Sequence, residues 1–269
     1  MLEEVKTLPA EATKSQADGS VFPSHEVIPG DCGGGLVIVC DHARNVLPPG
    51  YGTLGLPASE FTRHIAYDIG VEPVVRGLCA RLRVPAVLAG FSRLLIDPNR
   101  GLDDPTLIMQ VSDGAIVPGN RGLEEAERAR RIARFYRPYH AAIDALLDQA
   151  VASGRPPAIL SIHSFTPAWR GLARPWHAGI LWNRDGRFAC PLIERLRRGN
   201  DLLIGDNEPY SGGLPGDTLD THATARGLAD ALVEIRQDLV AGSAGVDEWA
   251  DRLAALLPEI LDQMHSDRS

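Results

Sequence analysis

Residues 36–40 have the sequence LVIVC and are followed at once by DHARN at residues 41–45. A short β-branched run behind a group of glycines indicates a buried strand, and the polar residues mark its end. Working outward along the chain, similar apolar runs predict further strands at 86–91, 158–162, 179–182, 202–204 and 231–235.

Helical periodicity fills the intervals between these runs. The predicted helices cover 61–83 with an interruption near Pro73, 122–153 with a kink or division at Pro138, 187–198, and an amphipathic 247–265. Strands that alternate with helices predict an α/β layered domain with a largely parallel sheet. We expect one such domain at 31–269, preceded by a tail or covering segment at 1–30, which shows no strong period.

Composition excludes several classes of protein. The 269 residues carry 27 Lys+Arg against 35 Asp+Glu, for a net charge of −8, with 44% hydrophobic and 23% charged residues. An acidic balance argues against a nonspecific nucleic-acid binder. No apolar run approaches the roughly 18 residues that span a bilayer, and the polar opening residues predict no secretory signal.

The four cysteines are widely spaced and form no C-x-x-C pair. We therefore expect reduced thiols in a cytoplasmic protein, rather than a disulfide framework or a cysteine-based zinc site.

Histidines follow two of the predicted strands. His42 follows the first and His163 follows AILSI at 158–162. A lone histidine is more often a core residue, but two at equivalent strand ends suggest a shared metal, because ligands collect beyond the carboxyl ends of parallel strands. Asn45 lies three residues after His42, so the sequence predicts a divalent metal, with Zn²⁺ as the expected ion, held by His42, Asn45 and His163.

Glu234 is an acidic residue within the last predicted strand. Strand alternation places it on the same face as Arg236. One interpretation is a structural ion pair with Arg236 or Arg93, and the other is a general base beside a metal site. The sequence alone weighs the two about equally.

Arginines also follow a strand. Asn99 and Arg100 come after a proline-containing turn, and Arg93 and Arg236 could reach the same rim. An arginine guanidinium can bind a carboxylate through two hydrogen bonds, so a basic pocket in an acidic protein predicts a small anionic substrate. The alternative is that these arginines neutralise local aspartates such as Asp97.

Further polar residues suggest supporting roles. His64 and Asp68 share a helix face at i, i+4, which favours support of the site over direct ligation. His222 follows a long polar loop at 207–213 that has the character of a lid.

Six blocks in this order resemble the N-formylglutamate amidohydrolase family: DHARNVLP (41–48), RHIAYDIG (63–70), SRLLIDPNR (92–100), SIHSFTP (161–167), NEPYSG (207–212) and HATARGLADALVEIRQDL (222–239). The resemblance covers about 36–240 and implies a three-layer α/β/α sandwich with a mostly parallel mixed sheet, of the phosphorylase/hydrolase-like class related to zinc carboxypeptidases and aspartoacylases. It implies that N-formyl-L-glutamate and water give L-glutamate and formate, as in histidine catabolism.

Carried over residue by residue, the resemblance implies roles for the strand-end residues. His42 and His163 match metal ligands, Asn45 stands where related enzymes have glutamate, and Asp41 would complete or support the coordination. Glu234 matches the base. The other residues expected at the active site are Arg93 for the oxyanion, Asn99 and Arg100 for the α-carboxylate, Arg226 or Arg236 for a side-chain carboxylate, and Ser164 and His222 for further substrate contacts.

Three alternatives stay open at this stage. The chain could deacylate another N-acyl amino acid, act as a small carboxypeptidase on the same scaffold, or bind a ligand without catalysis if Asn45 does not support a metal. A serine hydrolase is less favoured because no G-x-S-x-G elbow is present, and we expect Cys40 to be buried in its strand.

Overall fold

The computed structural model describes residues 22–266, and eleven strands lie in this range. In chain order they are β1 (His25–Ile28), β2 (Leu36–Cys40), β3 (Ala86–Ala89), β4 (Val111–Ser112), β5 (Ala115–Ile116), β6 (Ala158–Phe165), β7 (Ala168–Trp169), β8 (Leu172–Ala173), β9 (Ala178–Leu181), β10 (Ile204–Asp206) and β11 (Asp230–Arg236). Seven of them form one sheet in the order β1-β3-β2-β6-β11-β9-β10, while β4–β5 and β7–β8 are separate hairpins.

The sheet is mixed and mostly parallel. Strands β3, β2, β6 and β11 run in the same direction, whereas β1 is antiparallel to β3 and the β9–β10 pair is antiparallel to β11. The chain leaves β2 towards β3 on one side and returns to β6 on the other. The carboxyl ends of β2 and β6 therefore form a switch point, where open α/β sheets bind their ligands.

Helices cover both faces of the sheet. The α-helices are α1 (Val71–Leu82), α2 (Glu125–Arg131), α3 (Arg137–Ala152), α4 (Ala189–Arg198), α5 (Thr218–His222) and α6 (Ser243–Ser266), and a π-helical turn over Ile132–Tyr136 joins α2 to α3. Buried side chains of α1, α4 and α6 pack on one face, and those of α3, α5 and the π-helical turn pack on the other. This confirms the predicted three-layer α/β/α sandwich.

The predicted strands and helices match the observed ones closely, with two informative differences. The segment 61–83 is helical only from Val71, because Gly70 adopts φ 83° and a side chain there would meet Val240. The break predicted at Pro138 appears as the π-helical turn just before it. None of the described helices has the length and apolarity needed to cross a membrane.

The predicted tail at 1–30 contains a strand that the sequence did not signal. Residues 25–28 form β1, which pairs with β3 along the edge of the sheet. Residues 1–21 of that segment, and 267–269, lie outside the described residues.

Candidate metal centre and active site

The central strands bring three of the predicted strand-end residues together. His42 follows β2 directly, His163 lies near the end of the neighbouring β6, and Glu234 stands opposite His163 on β11. Adjacent parallel strands place residues in register about 4.8 Å apart, so the sheet itself sets their spacing.

A carboxylate lies between the two imidazoles. Asp68 Oδ2 is 3.2 Å from Nδ1 of His42 and 2.8 Å from Nδ1 of His163, and all three residues are buried. One ligand atom from each of the three lies within 4.8 Å of the others. Two imidazole nitrogens and a carboxylate oxygen form a donor set that suits Zn²⁺ and leaves a coordination position for water or substrate.

A second carboxylate orients each imidazole. Nε2 of His42 lies 2.7 Å from Asp97 Oδ1, and Nε2 of His163 lies 3.1 Å from Asp41 Oδ2. Each carboxylate accepts the Nε2–H, which directs Nδ1 towards the common centre. Carboxylates that hold the outer nitrogen of a ligating histidine are a regular feature of metal sites.

Asp41, for which the sequence predicts a supporting role, lies behind His163. Its carboxylate also accepts hydrogen bonds from Thr218 Oγ1 at 2.6 Å and Tyr139 OH at 2.9 Å. Although burial raises the pKa of Asp41, His163, His42 and Thr218 lower it to about 2. Asp41 is thus ionised and fixed in place behind His163.

The centre carries excess negative charge. Asp41, Asp68 and Asp97 are buried, and Arg93 pairs with two of them, Asp97 at 2.6 Å and Asp68 at 3.5 Å. With neutral imidazoles, three carboxylates and one guanidinium sum to −2, which a divalent cation would neutralise. Burial lowers the pKa of His163, but Asp41 and Asp68 raise it well above its usual value, so metal binding would displace a proton.

Glu234 is buried at the edge of this centre, and no residue of the described part of the chain pairs with it. Its side chain lines the cavity, and its Oε2 atom has no hydrogen-bond partner among the described residues. Its pKa is raised to about 7, chiefly by burial; Asp68 contributes to the rise, whereas His163, His42 and Arg93 lower the pKa. No ion pair joins Glu234 to Arg93 or Arg236 within residues 22–266. A carboxylate of this kind can exchange protons near neutral pH.

The predicted substrate-binding residues Asn99 and Arg100 line the same cavity. Asn99 Oδ1 accepts a hydrogen bond from the Thr218 backbone N–H at 3.0 Å. Arg100 donates to the Asn99 carbonyl at 2.7 Å and to Thr106 Oγ1 at 3.2 Å. No carboxylate within residues 22–266 pairs with Arg100, so its guanidinium can receive one from a ligand.

Arg93, Ser164 and His64 also lie on the cavity wall. Arg93 Nε is buried and unpartnered, while Ser164 Oγ donates to the Ile69 carbonyl at 2.9 Å. His64 lies 3.4 Å from Asp113 and packs edge-on against Trp169. The cavity has a volume of about 320 Å³, and its wall continues over Trp182, Asn183, Tyr210, Ser211, Gly212, Gly213 and Leu214.

Asn45 does not face the centre, which corrects its expected role as a ligand. Its Nδ2 donates to the Phe61 carbonyl at 2.7 Å, outside the cavity. The third candidate ligand is instead Asp68, which the sequence suggested only for support. Asp68 is brought back by the backbone hydrogen bond from its N–H to the His42 carbonyl at 3.0 Å.

Three further expected substrate contacts lie outside the cavity. His222 is fully buried and bonds His140 at 2.7 Å and Asp144 at 3.0 Å. Arg226 pairs with Asp144 and Asp148 on α3. Arg236 pairs with Asp238 at 2.7 Å. Each of these side chains is held by neighbours in the fold, so none is free to meet a ligand in the cavity.

Sequence reasoning missed several residues of the site. Asp97 appeared only as a charge for arginine to neutralise, and Thr218, Tyr139, Asp217 and Asp230 were not singled out. The signal available for Asp97 was its position after a predicted strand, six residues beyond the end of 86–91. The others come from helices or strand starts whose approach to the site depends on tertiary packing.

Comparisons with known proteins agree with this geometry. A sequence profile of the N-formylglutamate amidohydrolase family matches residues 34–241. A gene product of Agrobacterium tumefaciens is 34% identical with a TM-score of 0.83, and the match covers 90% of this chain and 96% of that one.

A second solved structure shares the fold. N-formylglutamate amidohydrolase from Ralstonia eutropha is 24% identical with a TM-score of 0.72, over 92% of this chain and 100% of that one. No curated protein matches the chain significantly. Because the family profile spans about three-quarters of the sequence, the chain belongs to the N-formylglutamate amidohydrolase family.

Proposed function

We propose that this protein is a metal-dependent amidohydrolase that removes the acyl group from a small N-acyl amino acid. In the reaction for which the family is named, N-formyl-L-glutamate and water give L-glutamate and formate. The observation that supports the proposal most is the convergence of His42 Nδ1, His163 Nδ1 and Asp68 Oδ2 beside the unpartnered carboxylate of Glu234.

His42, Asp68 and His163 would hold the metal. The donor set, the two outer carboxylates and the surplus negative charge all fit a divalent cation, with Zn²⁺ favoured by the nitrogen ligands. When bound, such a cation supplies Lewis-acid polarisation of the carbonyl and lowers the pKa of water.

Glu234 would carry the proton. A carboxylate with a pKa of about 7 can accept a proton from the attacking water at neutral pH. The C–O bond forms as the tetrahedral carbon is created, and the C–N bond then breaks. The proton passes from Glu234 to the departing nitrogen, so that the products are a carboxylic acid and an amine.

The arginines of the cavity would bind the anionic parts of the substrate. Arg100 and Asn99 would hold the α-carboxylate, since Arg100 is not paired with an acidic residue within 22–266. The buried, unpartnered Nε of Arg93 can donate to the oxyanion that develops on the acyl carbonyl. The substrate is then small, amino-acid-derived and anionic at one end.

The direct test is formate release from a panel of N-formyl-L-amino acids with acidic, uncharged and basic side chains. We expect turnover by Zn²⁺-loaded protein that a chelator abolishes and that added metal restores. Acetyl and dipeptide amides in the same panel distinguish a general deacylase or a small carboxypeptidase. If the metal-loaded protein hydrolyses none of these amides, the proposal fails and a binding role is favoured.

A further inference from the structure

A second unpartnered acid lies in the cavity, away from the metal centre. Asp230 is 7% exposed and lines the cavity wall. Its carboxylate forms no hydrogen bond or ion pair with any residue of the described range 22–266. Burying a carboxylate without a partner is costly, and in a cavity wall it leaves an acceptor available to a ligand.

Asp230 and Glu234 stand on the same face of β11. Side chains alternate along a strand, so Asp230, Leu232 and Glu234 point in one direction, and all three line the cavity. Four residues of strand separate the two acids by about 13 Å. One continuous cavity therefore runs from the proposed proton carrier to a second, isolated carboxylate.

The wall between the two acids is apolar. Leu232 is paired directly with Leu181 of β9, and Leu219 of α5 also lines this part of the cavity. A substrate that reached Asp230 would therefore place methylene groups over these leucines, which favours burial of an aliphatic stem.

The charges around Asp230 are predominantly negative. The pKa of Asp230 is raised to about 7, chiefly by burial and also by the negative charges of Asp185 and Asp217. Asp217 lines the cavity as well. Arg187 lowers the pKa of Asp230, but it is bonded to Asp185 at 2.7 Å and to the Gly227 carbonyl at 2.8 Å. A second carboxylate on the substrate would meet like charge here, and Arg226 and Arg236, the arginines expected to hold it, lie outside the cavity.

We propose that Asp230 binds a cationic group, an ammonium or a guanidinium, at the far end of the substrate, so that the preferred N-acyl amino acid has a basic side chain. This inference rests on the proposed function and specifies its substrate class. Subtracting about 3 Å for a hydrogen bond at each end of the 13 Å span leaves about 7 Å for the substrate to bridge. A lysine or arginine side chain fits that length, whereas a glutamate side chain is shorter and carries the wrong charge.

The test compares Nα-formyl-L-lysine, Nα-formyl-L-norleucine and N-formyl-L-glutamate as substrates of the Zn²⁺-loaded protein. Norleucine keeps the aliphatic stem without the charge. We expect kcat/KM for the lysine compound to exceed that for each of the other two by tenfold or more. In Asp230→Asn, the advantage of the lysine compound over norleucine should fall below threefold.

A control variant, a stability measurement and a binding measurement accompany the comparison of substrates. Asp185→Asn removes a neighbouring negative charge outside the cavity and should preserve the preference for lysine. Asp230→Asn is isosteric and removes an unpaired buried charge, so its melting temperature should equal or exceed that of the wild type. Binding of the lysine and norleucine compounds to Glu234→Gln, measured by calorimetry, reports charge selectivity without turnover.

The outcomes separate the two proposals. Turnover of the panel with equal kcat/KM for lysine and norleucine overturns the role of Asp230 and leaves the amidohydrolase function standing. Selective binding of the lysine compound that Asp230→Asn abolishes in the Glu234→Gln background, without turnover by wild-type protein, supports the role and overturns the function. Equal binding of the two compounds in that background also overturns the role.

Discussion

Replacing Glu234 by glutamine tests whether its buried, unpaired carboxylate carries the proton in the reaction. Glutamine keeps the shape of the side chain but cannot ionise or accept a proton from water. If Glu234 is the proton carrier, Glu234→Gln should lower kcat by a factor of about 100 or more, the usual contribution of a positioned general base. The same substitution should also stabilise the fold, because it removes an unpartnered buried charge.

The size of the stabilisation follows from the pKa. Burial holds the pKa of Glu234 near 7 instead of its usual 4.5. Each factor of ten in ionisation is worth about 1.4 kcal/mol, so the ionised form costs the fold up to about 3 kcal/mol. A raised carboxyl pKa means that stability falls as pH rises from about 4.5 to about 7 and then stays low. The advantage of Glu234→Gln should therefore be near zero at pH 4.5 and about 1–3 kcal/mol at pH 8.

The assay is urea unfolding of metal-free protein in chelator at both pH values, paired with turnover of metal-loaded protein at pH 8. The matched control is Glu194→Gln, an exposed acid that pairs with Arg198 on α4. That variant should keep wild-type turnover and leave the free energy of unfolding nearly unchanged, because an exposed ion pair contributes little. Destabilisation of Glu234→Gln at pH 8 would contradict the cost of the buried unpaired charge. Turnover close to wild type would contradict the role of Glu234 as proton carrier.

Three further predictions concern the metal ligands, the binding of the substrate carboxylate by Arg100, and the fold. Asp68→Asn should lose bound metal after dialysis, whereas Asn45→Ala should keep about one metal per chain by elemental analysis; the reverse pattern would restore the ligand set predicted from the sequence. Arg100→Ala should raise KM for N-formyl amino acids tenfold or more with little change in kcat, as expected for loss of a charge-assisted contact. Arg226→Ala should leave KM and kcat unchanged. Equal effects of the Arg100 and Arg226 substitutions would argue against binding of the substrate carboxylate by Arg100. Gly70→Ala should lower the free energy of unfolding by about 2 kcal/mol in urea titrations, because φ is 83° and a Cβ would meet the Val240 carbonyl; an unchanged midpoint would contradict this.

The sequence predicted the fold well because its signals are local. Buried runs such as LVIVC at residues 36–40 and AILSI at 158–162 carry the strand pattern in adjacent residues. The parallel arrangement then places residues that follow different strands at one edge, which is why His42, His163 and Glu234 were found together. The edge strand at 25–28 was missed because half-buried HEVI carries little periodicity.

The ligand set needed information that spacing does not contain. Asn45 has the expected offset from His42, but its amide is used by the Phe61 carbonyl. Asp68 is 26 residues from His42 in the chain, and only the packing of its loop against β2 and β6 brings its carboxylate between the imidazoles. Likewise, no motif distinguishes Arg226, which is held by acids of α3, from an arginine that faces the cavity.

We propose that His42, Asp68 and His163 hold one divalent cation beside Glu234. Anomalous diffraction from crystals of the protein grown with Zn²⁺, measured on both sides of the zinc absorption edge, tests it directly. We predict a single strong peak within coordination distance of Nδ1 of both histidines and of Asp68 Oδ2, at about 2.0–2.2 Å. No peak among these three side chains, or a peak coordinated by Asn45 instead of Asp68, would contradict the account.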